Sequence, residues 1–130
     1  MKLEIHKEAL AEYIAHIEQA KHSVENSKRL LLILGSQAAM EIISILLHKL
    51  NILDESAVVR HNQLDSKNFW NKMADFEKKP QISKLAAELE RGRALAYGAL
   101  KRINTDELLK TISMLFELKD IVEEVSNEKL

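Results

Sequence analysis

At 130 residues the chain is long enough to close one apolar core without staples, and its composition (46% hydrophobic, 30% charged, three Gly, one Pro) favours long helices over disorder. The absence of cysteine excludes disulfides, thiol nucleophiles and thiolate metal sites. A net charge of −1 argues against a broad nucleic-acid-binding surface, which needs clustered Lys and Arg.

The start, "MKLEIHKEALAEY", has no continuous apolar run, so no signal peptide is expected and the cytoplasm is the expected location. Ile5, Ala9, Tyr13, Ile17, Ala20 and Val24, widened by Leu10 and Ile14, predict a first helix over residues 3–26. A second helix over 28–52 is apolar almost all round, with Gly35 and Ser36 as a possible kink. Its segment "LLLILGSQAAMEIISILL" has the length of a membrane span, but Glu41 near its middle, with Gln37 and Ser44 a turn away, points to a buried central helix. No membrane partner is expected.

Residues 53–65 show no sustained period and read as a mobile loop. A short helix over 66–79 offers Phe69, Trp70, Met73 and Phe76 to a core. Pro80 suits the first turn of the next helix, which begins near Gln81 and buries Ile82, Leu85, Ala86 and Leu89. Asn104 with Glu107 three residues on caps the last helix, Ile103 staples to Leu108, and Ile112, Leu115, Leu118, Val122 and Val125 continue the stripe. The fold class is all-α: a single domain over 1–130, an antiparallel up-and-down bundle of four to five helices.

Charge is unevenly placed. Residues 1–26 carry three Lys against five Glu, and residues 103–130 three Lys against seven acids. Between them, Lys84, Arg91, Arg93, Lys101 and Arg102 oppose only Glu88 and Glu90, making a basic island. At 100° per residue, Arg93 and Tyr97 share a face that continues Ala86 and Leu89, while Arg91 points nearly opposite. An inward guanidinium needs an acceptor. Gln37, Glu41, Ser44 and His48, spaced four, three and four, form a polar seam on the second helix. One expectation is that Glu41 pairs with Arg93 and lines a polar cleft with Tyr97 and His48. The other is a solvated seam, with Arg93 at the surface over a buried stem.

Gly92 permits close approach of a backbone or ligand, and Gly98 suits a positive-φ helix end. His6, His16 and His22 spread around the first helix, so no metal site is expected. Arg60 and His61 read as part of the solvated loop, with a mobile acid or phosphate contact as the alternative, the aromatic group reads as core, and no serine or threonine stands out as a nucleophile.

"LERGRALAYG" followed by "INTDELLKTISMLFELKDIVEEV", together with "SQAAMEIISILLHKLNIL", resembles HEPN domains over nearly the whole chain. The resemblance implies a dimeric helical bundle, often paired with a minimal nucleotidyltransferase as toxin and antitoxin, and often a metal-independent ribonuclease. The family's catalytic pattern is an arginine followed after four to six residues by a histidine. Arg91 matches the arginine, but Ala96 or Tyr97 stands at the histidine position. A phenol, with pKa of about 10, is a poor substitute for imidazole in proton transfer, whereas phosphate binding by arginine needs no histidine. The expectation is therefore a non-catalytic or weakly catalytic homodimer without cofactor, binding a nucleotidyltransferase, a nucleotide or RNA through Arg91, Arg93 and Tyr97, with Glu41 and His48 lining the site. An active ribonuclease and a purely structural adaptor are the alternatives.

Overall fold

A computed structural model describes residues 2–54, 56–98 and 103–130; Lys101 and Arg102 of the basic island lie outside these. The fold is all-α, with no strand among the described residues. Four long helices carry it: α1 (Lys2–Ala20), α2 (Lys28–Lys49), α5 (Lys79–Gly98) and α6 (Thr105–Ser126). Two short ones, α3 (His61–Leu64) and α4 (Lys67–Lys72), lie in the link between α2 and α5.

The hub is α2, which packs on α1, α5 and α6. Thirteen of its 22 residues are buried, because nearly every face is apolar and every face has a neighbour. The helix is long and apolar enough to cross a membrane, yet 72% of its apolar window is buried inside the bundle. It runs unbroken through Gly35 and Ser36, so the expected kink is absent. Its end comes earlier than predicted. Asn51 adopts a left-handed conformation (φ 59°), its N–H donates to the His48 carbonyl, and the Ile52 N–H reaches back to Leu47, a Schellman closure that turns the chain out of the helix.

The pairings fix the directions. Ser36 meets Glu90 on α2 and α5, and Arg29, earlier on α2, meets Ala96, later on α5, so these two helices run antiparallel, while His6 meets Glu41 between α1 and α2. The first helix is shorter than expected: α1 stops at Ala20 and a 3-10 segment, Lys21–Asn26, follows, broken by extended Ser23. Ile5 faces solvent, and His6 takes the inward place in line with Leu10 and Ile17.

Residues 56–65 hold more structure than the sequence predicts. Val59 and Leu64 are buried, and α3 forms within the stretch, too short to leave a period in the sequence. The helix predicted over 66–79 shrinks to α4, whose N-cap Ser66 accepts from the Phe69 N–H. Trp70 is buried there and donates its indole N–H to the Leu64 carbonyl at 2.9 Å. Lys78, with φ 61°, then turns the chain into α5, and Pro80 occupies the first turn. Asn104 caps α6 by accepting from the Glu107 N–H at 2.8 Å, and the predicted stripe from Leu108 to Val122 is buried.

At Gly92 the α2–α5 contact is tight. A Cβ there would stand 3.2 Å from a Leu32 methyl. Gly98, the last described residue of α5, has no positive φ and is not the left-handed cap that the sequence suggests.

Candidate functional site

The expected site residues fall into three separate places, and Arg93 does not pair with Glu41. Ser36 and Glu41 are five residues apart on α2, which places them about 140° apart around the helix. Ser36 faces α5, while Glu41 faces α1, where its carboxylate accepts from His6 Nδ1 at 2.5 Å. His48 stacks on His6, with ring centroids 5.3 Å apart and planes inclined by 24°. Ser44 turns its hydroxyl back onto the Met40 carbonyl. The polar seam of α2 thus lies beneath α1, and Glu41 and His48 do not join a cleft with Arg93 and Tyr97. His6 Nε2 is buried there without a hydrogen-bond partner.

The acceptor for Arg93 comes from its own helix. Glu90, with a side chain only 5% exposed, accepts from Arg93 Nε at 2.8 Å. Its other oxygen accepts from the Ser36 hydroxyl at 2.6 Å and from His61 Nδ1 at 2.9 Å. The Ser36 oxygen also lies 3.1 Å from His61 Nδ1. One buried carboxylate therefore gathers side chains from α2, α3 and α5. Its desolvation is offset by three side-chain partners within hydrogen-bonding distance, one of them a guanidinium. Ser36 is fully buried and bonded to the acid, so it is no nucleophile.

His61 is not a solvated loop residue: it starts α3 and pins that segment to α5. With Nδ1 turned to Glu90, its Nε2 has no protein partner among the described residues, and the ring is 23% exposed. Arg93 is half-buried, as an arginine on the inner edge should be, and its terminal nitrogens have no hydrogen bond to the described residues. The sequence offered one signal for this cluster: Glu90 precedes Arg93 by three residues, the spacing of a helical ion pair.

On the opposite side of α5, Arg91 is exposed and bound to Glu88 at 2.6 Å. It stands two turns beyond Lys84, on a ridge between two grooves. Of the two residues considered for the missing histidine, Ala96 is fully buried, whereas Tyr97 is 71% exposed. The end of α5 is tied down by α2: Arg29 Nε donates to the Ala96 carbonyl at 3.1 Å and Lys28 to that of Ile103 at 3.2 Å.

Comparison with family models, curated proteins and solved structures finds no match to this chain. The bearing on function comes from its own side chains. Among the described residues no group of three His, Cys, Asp or Glu could hold a metal ion. What the Glu90 cluster offers is a guanidinium fork and an imidazole edge, both oriented by one carboxylate, a pair suited to holding a phosphate group.

Proposed function

We propose that the chain is a HEPN-like helical protein that binds a phosphate-bearing ligand with little or no cleavage of its own. The observation that carries this is the Glu90 carboxylate, one oxygen bound to Arg93 and the other to His61, both of which stay partly exposed with nitrogens not bonded to the described residues. Preorganised donors lose less freedom on binding than mobile surface chains, so such a pair favours a phosphate over a random lysine cluster. Tyr97, one turn further on, offers an exposed ring to a base or to a partner. The ligand class is RNA or a nucleotide, and the setting is a toxin–antitoxin-like pair with a nucleotidyltransferase. Dimerisation belongs to the same reading: Leu30 and Tyr97 are large exposed apolar side chains at one end of the bundle, where Arg29 meets Ala96. Sedimentation of the intact chain and of Tyr97→Ala tests it.

The main test is RNA affinity by fluorescence anisotropy, with the fold of each variant checked by circular dichroism. Arg93→Gln is expected to weaken binding about tenfold, the effect of one lost charge-assisted contact. A second reading, a weak metal-independent ribonuclease, is favoured by His61, because imidazole is the side chain best suited to proton transfer near neutral pH. RNA cleavage without added metal that disappears in His61→Ala would replace the binding reading with the enzymatic one. No RNA binding, with Arg93→Gln indistinguishable from the parent, would leave a structural adaptor.

A further inference from the structure

The groove between α4 and α5 lies on the Arg91 side of the bundle, away from the Glu90 cluster. It measures about 380 Å³, within the range of small-molecule sites. Its floor is apolar, formed by Leu64, Trp70 and Ala87. Three cations, Lys67, Lys84 and Arg91, reach it from two helices, and a single acid, Asp65, opposes them. Neither Lys67 nor Lys84 has an ion pair among the described residues, although the chain as a whole carries more acids than Lys and Arg. Arg91 is paired with Glu88 through one terminal nitrogen and lines both this groove and its neighbour. The neighbouring groove between α5 and α6 shares Lys84 and Arg91 and adds Lys110, but sets two acids, Glu88 and Glu107, against these three cations, so its positive surplus is smaller.

We propose that this groove is a binding site for a nucleoside phosphate monoester, either a free mononucleotide or the phosphorylated end of an RNA. A phosphate monoester carries about −1.5 to −2 charge at neutral pH, which answers the surplus of positive charge. Inorganic phosphate alone would fill little of the groove, while a nucleoside spans it to the Asn71 amide and the Ser83 hydroxyl at the rim. The site is independent of the Arg93 face and uses different cations.

Trp70 is the only tryptophan of the chain and lines the groove, so its indole N–H is a single built-in reporter. In a nitrogen–proton correlation spectrum of the full chain, adenosine monophosphate is expected to shift that one indole signal saturably. Adenosine and inorganic phosphate should each do so at least about tenfold more weakly, as expected when two halves of a ligand share one site. Lys67→Ala and Lys84→Ala should each weaken the nucleotide about tenfold. Both lysines are exposed, so the variants retain the fold, and Lys129→Ala serves as a distant charge control. A short RNA with a 5′-phosphate that shifts the signal more tightly than the free nucleotide identifies the RNA end as the source; a weaker shift identifies the free nucleotide. The proposal is overturned if adenosine monophosphate gives no saturable shift, if the shift survives the double lysine substitution, or if an RNA without the end phosphate binds equally well. The Arg93 test reads RNA affinity and this one reads a single indole, so either can fail alone.

Discussion

The His6–Glu41–His48 group and the Ser36–His61–Glu90–Arg93 group draw on the same few side-chain types and share α2 as a wall, but they are built for different ends. Beneath α1 the polar atoms turn toward one another, and His6 Nε2 is sealed from solvent. Beside α5 the carboxylate is more deeply buried, yet the groups bound to it emerge, with Arg93 36% and His61 23% exposed. A sealed group fixes how two helices meet. An emergent one also presents charge in a set direction. The difference follows from rotation: five residues along α2 are enough to hand a side chain from one neighbour to another.

The sharpest way to break the comparison is to delete the two acids. Glu90→Ala strips the acceptor from three buried or half-buried donors and should cost about 3 kcal/mol in urea unfolding. Glu41→Ala removes one hydrogen bond from His6 and should cost about 1–2 kcal/mol. The reverse order would mean that the α1 side, not the α5 side, is the linchpin. Gly92→Val tests the close approach that brings α5 to the cluster. The Leu32 methyl must move, and a loss of about 2 kcal/mol is expected from overpacking. Gly92→Ala should be nearly neutral, since the gain in helix propensity offsets a mild contact.

His61→Ala separates the groups by dynamics. It should cost only about 1 kcal/mol globally, while amide exchange over residues 56–66 speeds up much more than in α1. Uniform acceleration would count against His61 as the pin of that segment.

The smallest effect lies outside both groups, where Glu128 joins Lys7 of α1 to Lys49 at the end of α2. Hydrogen bonds from Lys7 and Lys49 hold the Glu128 carboxyl below its ordinary value of 4.5. The stabilisation is therefore present above that value and is lost as pH falls through the depressed one. Lys7 is raised above 10.5 by its hydrogen bond to Glu128, so its share is present below that value and is lost as pH rises through the raised one. Glu128→Gln should flatten both limbs of the stability curve slightly, as measured by thermal unfolding across pH; an unchanged acid limb would show that the clasp is not felt.

The long helices could be read from the sequence because apolar spacing and the Asn104 cap are local signals. So was the opposition of Arg91 and Arg93, a matter of 200° of helix. The partner of Arg93 could not be read this way, because a polar seam does not say which neighbour will cover it. Periodicity also passed over α3, a single turn anchored by Val59, Leu64 and the His61 contact with Glu90. Glu90 itself resembled any acid on a solvated helix until the arrival of Ser36 and His61 enclosed it.

The first turn of α2 carries Lys28 and Arg29, positive charges at the end of a helix where the backbone dipole is already positive. Locally this is a conflict, eased by Glu25 beside Lys28 and by the reach of both cations to carbonyls, Lys28 to Ile103 and Arg29 to Ala96. The hydrophobic hub is thus reluctant to wind from its own beginning. An excised peptide of residues 28–49 should fray at that end, and in the intact chain its opening turn should set late, after the α5–α6 corner has arrived to receive it.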